Sequence, residues 1–154
     1  MATYYANENR RRANAYGPLP VDGSEQGARL RRYRCTVELD TPATGETTNG
    51  TAILIADTVS LARVPIGSVF AFGIITSSVS LGSTTISIGI DGTPAKYRAL
   101  AVHTAVDTPT FFGKTSVVAS APLPADEEII LTVAAADMPT SDNRFVVDLY
   151  FAAP

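Results

Sequence analysis

The stretch from Gly67 to Thr93, GSVFAFGIITSSVSLGSTTISIGIDGT, constrains this chain more than any other part of it. Thr84, Ile86, Ile88 and Ile90 alternate with Ser83, Thr85, Ser87, Gly89 and Asp91, the period of a strand with one dry and one wet face. The preceding run, Ser68 to Thr76, reads as its partner strand but is apolar on both sides. Val69, Ala71, Gly73 and Ile75 alternate with Phe70, Phe72 and Ile74, so both faces want cover. One face can enter a core. The other needs a second layer, an arm or another subunit, and Phe70, Phe72 and Ile74 are therefore assigned to a subunit interface.

The rest of the body repeats the strand pattern between short breaks. Tyr33 to Asp40 alternates Tyr33, Cys35, Val37 and Leu39 against Arg34, Thr36, Glu38 and Asp40. A loop rich in Thr follows from Thr41-Pro42 to Asn49-Gly50. Ala52 to Ala56 reads as a short strand, and Asp57 to Arg63 as a strand or a turn of helix. Asp91-Gly92 turns the chain into a strand at Ala95 to Ala101, and His103 to Phe112 reads as a loop that can hold a helical turn. Thr115 to Ser120 is a further strand candidate. Glu128 to Ala136 directs Ile129, Leu131, Val133 and Ala135 inward, and Arg144 to Ala152 does the same with Phe145, Val147, Leu149 and Phe151.

About eight such strands without a convincing helix predict an all-β fold, a two-sheet antiparallel β-sandwich. A jelly-roll-like arrangement suits eight strands in two sheets, with an immunoglobulin-like sandwich as the alternative. The length, 154 residues, suits one body with a tail to spare. Residues 1–31 predict an extended N-terminal arm and residues 32–154 the sandwich. The arm is broken by Gly17-Pro18-Leu19-Pro20 and Asp22-Gly23. Its large apolar side chains, Tyr4, Tyr5, Tyr16, Leu19, Val21 and Leu30, are too few to offset the entropy of ordering some thirty residues on a lone body. A partner surface is expected to order it.

The net charge of −3 hides a division along the chain. Through Arg34 there are seven arginines against three acids, about +4, which leaves about −7 for the remainder. The arm is thus expected to meet something acidic. Tyr4, Tyr5, Arg10, Arg11, Arg12, Tyr16, Arg29, Arg31 and Arg32 are its candidate partner-binding residues. Arginine and tyrosine favour protein–protein contact, through planar hydrogen bonding and large area at small entropic cost. Nucleic acid is the weaker reading, because three acids dilute the charge and the arm has no lysine.

Catalytic chemistry finds little support. His103 is the sole histidine, and no G-x-S-x-G elbow accompanies it. Asp126, Glu127 and Glu128 are consecutive, so in a strand they alternate between faces instead of forming a chelate, and they read as solvated turn charge. The glycines lack the strand-to-helix setting of a phosphate loop. A single cysteine, Cys35, excludes an intrachain disulfide and reads as a small buried thiol. No enzyme activity, cofactor or metal is expected. The N-terminus carries no apolar leader and no run is long enough to span a membrane, so synthesis in a host cytoplasm is the default expectation.

The run VPIGSVFAFGIITSSVSLGSTTISIGIDGTPAKYRALAVHTAVDTPTFFG, residues 64–113, followed by APLPADEEIILTVAAADMP and a closing FVVDLYF, resembles small virion structural proteins of tailed bacteriophages. The shared pattern is an A-x-G strand, an LG-x-x-T-I-x-I-G strand, a KYRA segment, a TPTFFG turn and an L-x-A-D-E-x-I-x-L-T strand. It covers residues 32–152 and leaves out the arm. The resemblance implies a capsid decoration or cement protein, seated on the shell as a homotrimer. Its partners would be the major capsid protein and copies of itself, and its place the outside of the virion. A neck, tail or head-fibre protein is the alternative role, and a nucleic-acid-packaging coat subunit a third.

Overall fold

A computed structural model describes residues 29–39, 53–113, 121–140 and 143–153. Eight strands run through them: β1 (Arg29–Glu38), β2 (Thr58–Val64), β3 (Val69–Ser77), β4 (Thr85–Ile90), β5 (Thr93–Val102), β6 (Thr110–Phe112), β7 (Glu127–Ala134) and β8 (Arg144–Ala153). They form two four-stranded sheets, in the orders β1-β8-β3-β6 and β2-β7-β4-β5. Antiparallel ladders join β1 to β8, β2 to β7, β3 to β6 and β4 to β5. That nesting arises when a chain doubles back between β4 and β5 and the resulting ribbon rolls up, adding the β3–β8 and β4–β7 pairs. The arrangement is a jelly roll, not an immunoglobulin sandwich.

The inward sides of the strands supply the core. Ile86, Ile88, Ile129, Leu131, Val133, Phe145, Val147, Leu149 and Phe151 are all fully buried, as their alternation requires. Between the sheets, Phe70 lies 4.6 Å from Tyr97 and 5.2 Å from Phe151, centroid to centroid. Tyr97 is buried too, and its hydroxyl donates to Glu127 Oε2 at 2.6 Å. Lys96 completes that group through Glu127 Oε1. Burial, reinforced by the hydrogen bond to Glu127, raises the Tyr97 phenol well above its usual pKa.

Several expectations are corrected. β3 and β4 are consecutive but lie in different sheets, so the Gly67–Thr93 stretch is a crossing and not a paired hairpin. Ile53 to Ala56 is a turn rather than a strand: Leu54 N–H donates to Asp57 Oδ2 at 2.8 Å and Ile55 N–H to Asp137 Oδ1 at 2.8 Å. The His103–Phe112 segment ends in a three-residue strand, β6, and has no helical turn. β1 starts at Arg29, so Arg29, Leu30 and Arg31 pair with β8 instead of belonging to the arm. The strand expected at Thr115 to Ser120 lies outside the described residues.

The acids at the head of β7 are not idle turn charge. Besides Glu127, Asp126 Oδ1 accepts the Ile66 N–H at 2.9 Å and Glu128 Oε1 accepts the Ser60 hydroxyl at 2.6 Å. They tie β2, the β2–β3 turn and β5 to β7.

Candidate assembly surface

The outer face of the β1-β8-β3-β6 sheet follows from register. Phe70 faces Phe151, but the next ladder partners are Phe72 and Tyr150, so Ala71 is an extra residue on β3. This bulge shifts the alternation by one. Phe70 turns into the core at 1 % exposure while Phe72 and Ile74 turn out. Phe70 is therefore a core residue, which corrects its assignment to a subunit interface.

Two cross-strand rows occupy the outer face. Arg32, Tyr150 and Phe72 form one, and Arg34, Asp148, Ile74 and Phe111 the other. Phe72 stacks on Tyr150 at 4.5 Å with an interplanar angle of 21°, and lies 6.0 Å from Phe111. Phe111 is 70 % exposed, and Leu30 at the start of β1 is half exposed. Arg34 grips Asp148 with two parallel bonds of 2.9 Å, Nε to Oδ1 and Nη2 to Oδ2, and Arg32 Nε stands 3.7 Å from Oδ1. Asp148 is itself buried, whereas both guanidinium groups are about half exposed.

Of the arm's candidate residues, Tyr4, Tyr5, Arg10, Arg11, Arg12 and Tyr16 lie outside the described residues. Arg29, Arg31 and Arg32 are exposed on β1, with Arg32 on the outer face. The sequence reading missed Asp148, Tyr150 and Phe111. A trace of the first two was visible, since the outward positions of FVVDLYF hold Asp148 and Tyr150, but only strand order brings them beside Arg34 and Phe72.

The opposite flank differs in character. β5 and β6 are the outer edges of the two sheets and are joined directly, so they share one side of the sandwich. Leu100, Val102 and Val106 are about half exposed there. Arg98 donates to the carbonyls of Ile86, Ala101 and Val102, closing off part of the irregular β5 edge.

Two residues with chemical potential are held in structural roles. The Cys35 thiol donates to the Leu61 carbonyl at 2.8 Å where β1 meets β2, and burial pushes its pKa up to about 11, which suppresses the reactive thiolate. His103 is 3 % exposed, with its ring edge-on to Phe145 at 6.2 Å and Nε2 unpartnered. Burial first, then the charge of Arg98, lowers its pKa below 6.5, opposed by a backbone hydrogen bond at Ala105. In that window the unfolded chain holds the proton and the folded one does not, so stability falls as pH drops from 6.5 toward the folded-state pKa. His103→Leu is expected to flatten this part of the profile, as read by urea midpoints between pH 7 and pH 5.5; parallel profiles for the two proteins would exclude the linkage. Among the described residues no group of three His, Cys, Asp or Glu side chains converges as a metal site, and no helix is long and apolar enough to cross a membrane.

No protein-family model matches the chain, and no curated protein matches it by sequence. Solved structures do match. A chain in the cyanophage Pam1 capsid asymmetric unit superposes with a TM-score of 0.61 at 15 % identity, covering 91 % of this chain and 96 % of its own. One in the capsid of Ralstonia phage GP4 gives 0.55 at 14 % identity, covering 82 % and 84 %. One in the acidic stable capsid structure of Helicobacter pylori bacteriophage KHP30 gives 0.52 at 12 % identity, covering 82 % and 94 %. The fold is thus one found in chains of three phage capsid structures.

Proposed function

We propose that this chain is a non-enzymatic structural protein of a phage virion, a capsid decoration or cement protein that sits on the head shell and braces it. The observation that carries the reading is the outer face of the β1-β8-β3-β6 sheet, where Phe72, Ile74, Phe111 and Tyr150 lie beside Arg32 and Arg34. That face belongs to a fold shared with chains of phage capsid structures. Aromatics and arginine are what protein interfaces enrich, and a cluster of them outside the core needs a partner.

In this reading Phe72 and Ile74 serve assembly, and the arm, shortened to residues 1–28, lies across neighbouring subunits with Arg10 to Arg12 meeting carboxylates and Tyr4, Tyr5 and Tyr16 filling pockets. Copies associate as homotrimers, for which the apolar β5–β6 flank supplies a surface distinct from the outer face, as a ring closed by rotation requires. Retention on the particle then comes from many weak contacts acting together. Imaging of intact virions tests the reading. It expects copies on the order of hundreds, distributed over the shell lattice. A few copies confined to the neck or tail would place the protein among connector or fibre components instead.

A further inference from the structure

We infer that the outer face of the β1-β8-β3-β6 sheet receives an acidic surface of a different protein, the shell beneath, and not a second copy of this body. This rests on the decoration reading above and adds which partner lies on which face. Arg32 and Arg34 share a single carboxylate, Asp148, both of whose oxygens already accept from Arg34. The other charged outward positions of the four strands, Glu38 on β1 and Arg144 on β8, are register partners of opposite sign, and those of β3 and β6 carry no charge, so the face sums to one excess positive charge.

The face therefore keeps one uncompensated positive charge, and exposed Arg29 and Arg31 leave the adjoining free edge of β1 basic as well. Two copies set face to face would oppose like charges across an apolar contact, which interfaces avoid. A partner bringing carboxylates to Arg32 and an apolar element to Phe72, Ile74 and Phe111 satisfies both halves. Asp148 assists by holding the Arg34 guanidinium in place before the partner arrives, so less freedom is lost on docking.

The test uses the full chain and two exposed substitutions that spare the core, Arg32→Glu and Phe111→Ser. Each is assayed for binding to heads assembled without this protein, and for oligomeric state in solution. The expected result is a loss of affinity of about tenfold or more for each variant, an unchanged oligomer, and wild-type binding that weakens as salt is raised. Dissociation of the oligomer by either variant would show that sister copies cover this face, which overturns the inference and leaves the decoration reading intact. Undiminished binding by both variants would do the same by moving the shell contact elsewhere. Failure of the wild-type protein to bind heads at all would instead remove the decoration reading, and this inference with it.

Discussion

Replacing Phe70 by alanine is expected to cost about 3–5 kcal/mol of folding stability, whereas Phe72→Ala, two residues along the same strand, costs about 1 kcal/mol. The first ring lies between the sheets against Tyr97, Phe151 and Phe112, and its removal leaves a cavity that strands held in ladders on both sides cannot close. The second loses a stack on Tyr150 at the surface, where water replaces it. Because a domain of this size has in all about 5–15 kcal/mol, Phe70→Ala removes a large share of what holds it together. Urea unfolding of the two variants measures the difference. Equal midpoints would mean that the bulge at Ala71 is absent and the two rings share one environment.

The second large effect concerns Gly89, in β4. A Cβ there would run into the Thr93 carbonyl oxygen and come within 2.5 Å of the Pro94 carbonyl carbon, because β5 folds closely over β4 after the Asp91-Gly92 turn. The obstruction is backbone and cannot swing aside, so Gly89→Ala is expected to destabilise by about 3 kcal/mol. Gly82→Ala provides the contrast. Gly82 has φ +60° and open space around its Cα, so alanine there meets only the left-handed backbone penalty, about 1–2 kcal/mol. Thermal unfolding of both variants separates close approach from backbone conformation; a larger loss at Gly82 would contradict the packing of β5 on β4.

The strands that alternate cleanly are legible in the sequence alone. Ile129, Leu131 and Val133 in β7 and Phe145, Val147, Leu149 and Phe151 in β8 are buried as read, since the other side of each strand carries charge, Glu128 in β7 and Arg144 and Asp148 in β8, which leaves only one way to face a core. β3 resisted the same treatment because both of its sides are apolar. Periodicity then has two equivalent solutions, and a one-residue bulge is enough to exchange Phe70 between them. The acids at 126–128 were misread for a related reason: the partners of Glu127 sit on β5, about thirty residues away in sequence, and neither Tyr97 nor Lys96 announces a carboxylate acceptor.

The assembly face was legible only in part. Phe72, Ile74 and the arginines near position 30 stand out in the sequence, whereas Asp148, Tyr150 and Phe111 join them only through the order β1-β8-β3-β6. By itself the sequence determined that the chain is all-β, that most strands have a definite inner side, and that basic charge gathers toward the N-terminus. These follow from local alternation and composition, which each segment carries alone. Sheet membership, the bulge, the seat of Phe70 and the sharing of one carboxylate by two arginines were decided by tertiary structure, because they depend on pairings between strands distant along the chain, and no local pattern encodes which strand a given edge will meet.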